Sequence, residues 1–293
     1  SLNFCKGQLR QLQPLPYNVV LDRVNLFLRD QQLFVVLVDN MLMLLVNELG
    51  NVLDANNPFT SIAGQHIASQ TKLNRSPLHR RFPTEAGGHV SSMNWQTTDA
   101  LGMISLAVVP TKAGALRKEM RKRIAAAADV YLAVAEKEGY RTLIPVTADG
   151  KYIWGSNSFV LNNMIVLALA HDLTKQQKYL DGVVLGMDYL LGRNPLGQSY
   201  VSGYGERPLQ NPHHRFWAFQ ANAKYPKPPP GVVSGGPNSN VDDPYSKGAG
   251  LRGCVAQKCY VDHIEAFSVN EITINWNAPF AWVAAYLDEK ARN

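Results

Sequence analysis

The sequence predicts an all-α chain whose helices are joined by short turns, with the longer loops collected at one end. Three observations carry this. From residue 97 onward apolar residues recur at helical spacing. Strand signals are few. One long stretch, roughly residues 193 to 260, is rich in Gly, Pro, Asn and Ser and lies between two helical segments. Loops of that length are uncommon in compact domains unless they carry function.

The elements follow in order. Val19 to Val52 is very apolar and reads as helix in two pieces, split near Asp30-Gln31-Gln32. Its run Leu33 to Val46 is interrupted by Asp39 and Asn40 and is too short to span a bilayer, so it reads as buried helix. Thr97 or Thr98 can cap a helix that runs through Leu106 to Val109 and stops at Pro110. The next helix sets Leu116, Met120, Ile124, Ala127, Tyr131 and Val134 on one stripe and ends at Gly139. Ser156 or Asn157 starts another, through Val160, Met164 and Leu167 to Leu173. Lys175 to Leu191 follows, with Tyr179, Val183, Met187 and Leu190 inward and Gly192 as terminator. A last helix is expected from about Ala278 to Lys290, with Pro279 in a first turn that needs no amide donor. Neither a domain boundary nor an internal repeat is visible.

Composition is that of a globular protein, 46% hydrophobic and 18% charged. The 29 Lys+Arg against 23 Asp+Glu give +6. The densest basic run, Arg117 to Arg123, fits a solvated helix face better than nucleic-acid binding, which predicts such a run beside exposed aromatics or glycines. The three cysteines are no disulfide scaffold. Cys254 and Cys259 are close enough to pair or to share a metal, and Cys5 stands alone. Ser1-Leu2-Asn3-Phe4 lacks the basic segment and apolar core of a signal peptide.

Two stretches carry candidate chemistry. Tyr260 to Ala278 sets Asp262, Glu265 and Glu271 among Phe267, Trp276 and several amides. Aromatics favour burial, and a carboxyl group desolvated against them keeps its proton more firmly, which suits a general acid. Aromatic faces beside acids also suit sugar rings, so the first expectation is a carbohydrate-active site. Ser199 to Arg215 ends in Pro212-His213-His214-Arg215. The fork of an arginine and the switchable donors of histidine suit sugar hydroxyls or a carboxylate, although a loop anchor satisfied by backbone carbonyls fits them too.

On these two motifs, together with Asp188 to Pro195 and Tyr152 to Ser156, the chain resembles the family 9 glycoside hydrolases, which are β-1,4-glucanases and cellobiohydrolases. The resemblance implies an (α/α)6 barrel that hydrolyses β-1,4-glucosidic bonds of cellulose or related glucans with inversion. It implies Glu271 as general acid, Asp262 as a supporting active-site carboxylate, and His213 and Arg215 holding the sugar beside the cleavage point. Substrate contacts are further expected from His214, Tyr204, Trp154 and Trp276, the last two matching aromatic positions of the glucan cleft. Trp154 reads equally well as core packing. The family's action on polymeric glucan implies an extracellular protein.

One departure stands out. No Asp-Ala-Gly-Asp segment, which carries the family's general base, occurs in this sequence. The nearest strings are Asp54-Ala55-Asn56 and Thr84-Glu85-Ala86-Gly87. The resemblance is firm from about 140 to 290, faint from 50 to 140 and absent over 1–50. The chain, 1–293, therefore reads as one partial catalytic domain, a barrel incomplete on its N-terminal side that either self-associates or is marginally folded. The alternative is a non-catalytic glucan-binding protein; a base, if present, would be a carboxylate such as Glu85 or Asp99. No cofactor is expected for the chemistry. Cys254, Cys259 and His263, joined by His213 or His214, could be half a zinc site, but the spacing is not the tight pair usual in structural sites, and no metal site is expected there. Asp242-Asp243 offer oxygens for a structural calcium or simply serve a turn.

Overall fold

The computed structural model describes residue 94 and residues 99–109 and 114–292, all within one compact unit. The readings for residues 19–52, for Thr97 and Thr98, for Pro110 and for Glu85 lie outside the described residues.

Helix α1 spans Asp99–Val108 and α2 spans Gly114–Ala135. The basic run on α2 has a structural use. Arg117 Nε and Arg121 Nε donate to the Ala107 carbonyl at 3.2 and 2.9 Å, closing the orphan C-terminus of α1. Arg123 pairs with Glu119 one turn away. The predicted α2 stripe is buried at Met120, Ile124, Ala127 and Tyr131 and partly buried at Val134, but Leu116 in the first turn is exposed.

Helix α3, Ser156–Thr174, is the centre of the fold and packs against α2, α4 (Gln177–Leu190) and the last helix. Its buried residues run around most of its circumference, as expected of a helix with neighbours on several sides. Asn163, fully buried there, is satisfied by donating to the Leu143 carbonyl at 3.0 Å. Lys175, expected to open α4, instead caps α3 in the left-handed conformation. In α4 the expected Tyr179, Val183, Met187 and Leu190 are buried, and Gly192 (φ 120°) turns the chain out of it.

The stretch 193–260 holds one short α-helix, α5 (Pro244–Gly248), a 3-10 turn at Ala256–Lys258, and isolated bridges at Val201–Val233 and Ser202–Leu209. No named strand occurs among the described residues. Tyr200 anchors this stretch to the core, its ring 5.9 Å from that of Tyr189 and 4.8 Å from that of Tyr260. Helix α6 is a single turn, Phe267–Asn270, and α7 spans Ile274–Arg292. The last helix thus begins four residues before the expected Ala278, and Pro279 lies inside it. The early start is held from outside. Asn277 Nδ2 donates to the Thr273 and Val233 carbonyls at 2.9 and 3.1 Å, and its Oδ1 accepts from Val233 N–H at 2.9 Å. No helix among the described residues is long and apolar enough to cross a membrane.

Candidate functional site

The N-terminus of α3 seats the site. Asn157 N–H donates to the Gly235 carbonyl at 3.0 Å and its Nδ2 to the Ser234 carbonyl at 2.9 Å. Gly235 N–H in turn donates to the Glu271 carbonyl at 3.0 Å. From the other side, His213 N–H donates to the Asn270 carbonyl at 2.8 Å, and His213 forms a parallel bridge with Glu271. The Glu271 backbone is therefore clamped between two loops that are distant from it in sequence.

Trp276 lies beneath this clamp. It is 7% exposed, and a Cβ on Gly235 would fall 2.6 Å from its ring, so only glycine lets the loop lie on the indole. The expectation of Trp276 as a cleft wall is corrected: burial makes it a support behind Glu271. Trp154 is the opposite case. It is 37% exposed, and its Nε1–H donates to Glu271 Oε2 at 3.1 Å. The core-packing alternative for Trp154 falls away. The Trp154 ring lies 6.1 Å from Phe267, which lies 5.7 Å from the His213 imidazole, so an aromatic row flanks the carboxyl group.

His213 Nδ1 faces the Ile264 carbonyl at 2.5 Å. A carbonyl only accepts, so Nδ1 carries a proton toward it and Nε2 makes no hydrogen bond among the described residues. His214 has the other tautomer, since its Nδ1 accepts from Phe216 and Trp217 N–H at 3.3 and 3.1 Å. Burial, with the neighbouring His213 charge adding to it, holds His214 below the ordinary histidine range. Arg215 is exposed and has no carboxylate partner among the described residues.

Asp262 is engaged on both oxygens. Oδ2 accepts from Gln210 N–H at 2.7 Å; Oδ1 accepts from Asn211 N–H at 2.8 Å and Asn270 Nδ2 at 3.2 Å. It pins the segment that leads into His213, a positioning task rather than contact with a reacting atom. Glu265 is exposed, and Tyr204 is half-exposed in the turn before the motif, joined by no hydrogen bond to the other site residues.

Sequence reasoning missed Asn270. It is fully buried, accepts from Tyr260 Oη at 2.6 Å, and donates to the Asn211 carbonyl at 2.6 Å. Burial in turn lifts the Tyr260 hydroxyl well above the usual tyrosine range, so it stays neutral here, donating to Asn270 and accepting from Ser234 Oγ. No local signal in the sequence marks it, because its Asn211 partner is 59 residues away.

The metal readings resolve in part. Cys254 and Cys259 form a disulfide, and His263 stacks on Tyr245 at 3.7 Å, which sets the zinc reading aside. Asp243 caps α5, accepting from Ser246 N–H and Oγ at 2.6 and 2.7 Å and from Ser268. Burial alone would raise its carboxyl group, but these donors outweigh it and hold the group below its ordinary range. A cavity of about 560 Å³ lined by Arg141, Leu185, Asp188, Arg193 and Glu206 includes none of the site residues.

Comparison with known proteins adds the chemistry. The family model described as glycosyl hydrolase family 9 matches residues 62–284, so it takes in much of the region of faint resemblance. The chain is 54% identical over 230 residues to a cellulose 1,4-beta-cellobiosidase of Acetivibrio thermocellus, covering 74% of this chain and 26% of that protein. It is 40% identical over 225 residues to endoglucanase C of Cellulomonas fimi, covering 76% and 20%. Among solved structures, a metagenome-derived family 9 endoglucanase matches with a TM-score of 0.61 at 29% identity, covering 76% of this chain and 37% of that one. An endoglucanase from Alicyclobacillus acidocaldarius matches with a TM-score of 0.56 at 34% identity, covering 64% and 35%. The chain thus spans about a fifth to a third of the length of these relatives. Its fold class is the (α/α)6 barrel.

Proposed function

Since the chain belongs to glycosyl hydrolase family 9, we propose that its Glu271 site hydrolyses β-1,4-glucosidic bonds in cellulose or a related β-glucan. The observation that carries this reading is the Trp154 Nε1–H donated to Glu271 Oε2 beside the His213 ring. In the proposed step Glu271 protonates the leaving glycosidic oxygen, and the C–O bond breaks as water attacks from the opposite face. The carboxylate left behind keeps the Trp154 donor, a charge-assisted hydrogen bond stronger than the one made to the acid. Inversion requires a base about 6.5–9.5 Å from Glu271, with room for water between them. Asp262 is a poor candidate for it, because three N–H donors already occupy its oxygens.

His213 Nε2, Arg215, His214 and Tyr204 are assigned to substrate hydroxyls. The chemistry uses carboxyl groups and water, with calcium in a structural role at most. Acting on a polymer found outside cells, the protein is expected to be extracellular. Self-association is proposed as well, with exposed Leu101 and Val108 on α1, or exposed Ile274 and Trp282 on α7, as the apolar side chains available to it. A clean monomer by light scattering contradicts that expectation.

The test is reducing-sugar release from a soluble β-glucan by the purified chain, beside its retention on the same glucan. Glu271→Gln is expected to abolish release and leave retention. Release that persists in this variant overturns the assignment of Glu271. Retention without any release from the wild-type chain favours a glucan-binding protein over a hydrolase.

A further inference from the structure

Beyond His213 the chain runs into a loop rich in exposed rings. Phe216 is 61% exposed, Phe219 42% and Tyr225 45%. Single exposed apolar side chains are ordinary on protein surfaces, but three rings within ten residues of one loop are not.

The loop is built to hold them. His214 stacks on Trp217 at 4.2 Å, and its Nδ1 accepts from the Phe216 and Trp217 backbone amides. The Ala218 carbonyl accepts from Ala221 and Asn222 N–H, each at 3.0 Å, and Asn222 Oδ1 accepts from Lys224 N–H at 3.0 Å. Lys227 Nζ lies 5.0 Å from the Phe219 ring centroid. A loop backbone held in this way loses little freedom on binding.

The loop is also continuous with the site. Ile264 N–H donates to Gln220 Oε1 at 2.9 Å, while the Ile264 carbonyl receives His213 Nδ1–H. Phe216 follows His213 by three residues, a reach of roughly 10 Å at most.

We propose that the 216–225 loop is a second binding platform for the β-glucan chain, engaging sugar units away from the bond that is cleaved. Exposed aromatic faces take the C–H faces of pyranose rings, and exposed Asn222 and Lys224 on the same loop carry donors for hydroxyls. A neutral polymer of flat, hydroxyl-rimmed rings fits this mixture, and continuity with the Glu271 site gives its direction. The inference rests on the glucan reading of that site and sets a requirement on it: affinity grows with chain length.

The test is affinity electrophoresis through gels containing a soluble β-glucan, with thermal melting as the check on folding. The Phe216→Ala/Phe219→Ala variant is expected to melt like the wild type and to bind the polymer about fivefold or more weakly. Phe216→Trp is expected to keep retention and Phe216→Leu to lose it, which separates ring stacking from a general apolar contact. Retention of the double variant equal to wild type, or a wild-type chain not retarded at all, overturns the inference. Equal rescue by Leu and Trp overturns it in favour of a protein partner for this face. Retention that depends on the loop in a chain that releases no sugar supports the platform while removing the hydrolase reading. Hydrolysis with loop-independent retention does the reverse.

Discussion

Asn270 is the residue whose removal tests the build of the site most sharply. Asn270→Leu keeps the side-chain size and the backbone carbonyl that accepts from His213 N–H, but deletes every side-chain hydrogen bond. The Asn211 carbonyl loses its 2.6 Å donor, and a buried acceptor left without one costs about 1–3 kcal/mol. Tyr260 Oη falls back on Ser234 Oγ at 3.1 Å, forfeiting one ordinary bond worth about 0.5–1.5 kcal/mol. Asp262 keeps its two backbone donors and loses little. The sum is about 2–4 kcal/mol, or roughly 5–15 °C in the melting temperature of a chain this size. Asn270→Asp adds a second diagnostic. It retains the acceptor for Tyr260 but sets a carboxylate against Asp262, whose Oδ1 lies 3.2 Å from the amide nitrogen it replaces. Like charges so close raise the folded-state affinity for a proton. The folded form then binds more protons than the unfolded chain, so the deficit of this variant shrinks as pH falls from about 7 to about 5. The Leu variant shows no such trend. Melting of Asn270→Leu within a degree or so of wild type, or a pH-independent deficit in Asn270→Asp, refutes the reasoning.

Three further outcomes are expected. Trp154→Phe keeps the ring near Phe267 and deletes the donor to Glu271 Oε2, so kcat on soluble glucan falls about tenfold, the partial exposure of Trp154 lowering the full worth of such a bond; an unchanged kcat contradicts the role. Asp243→Asn loses about 1–2 kcal/mol at neutral pH, read by denaturant unfolding. Because Asp243 is held below its ordinary range, its contribution is present above that range and lost as pH falls through the depressed value, so the two proteins converge in acid. His214 is likewise held low, so the folded state binds fewer protons than the unfolded one, and wild type weakens as pH falls below about 6.5. His214→Asn, which keeps an acceptor for the Phe216 and Trp217 amides without titrating, is expected to flatten that decline in thermal melts.

Much of this was legible in the sequence where one element carried its own signal. The α2 stripe, the apolar α3 and the α4 face follow from periodicity because each buries residues against neighbours along its length. The start of α7 was misjudged because Asn277, a side chain bonded across to Val233, holds its first turn in place and no local pattern reports that contact. The acids and histidines of the site were visible as motifs. Their supports were not: Asn157 reads as a helix start and Asn270 draws no reading at all, yet both act through loops far away in sequence. Trp276 and Trp154 look alike in composition. Only the approach of Gly235 to one and Glu271 to the other separates a support from a site wall. The cysteine spacing allowed a bridge or a metal, and the close approach of the two side chains decides for the bridge.

The central claim is that Glu271 delivers the proton to the leaving oxygen. A leaving group that departs as a stable anion needs no such proton, which gives the most direct measurement: rates for Glu271→Gln and wild type on unactivated β-glucan and on a dinitrophenyl β-cellobioside. A general acid is worth about 10²–10⁴-fold. The variant is therefore expected to lose on that order on the glucan and to hydrolyse the activated glycoside at a rate close to wild type. Equal losses on both substrates, or none on the glucan, contradict the account.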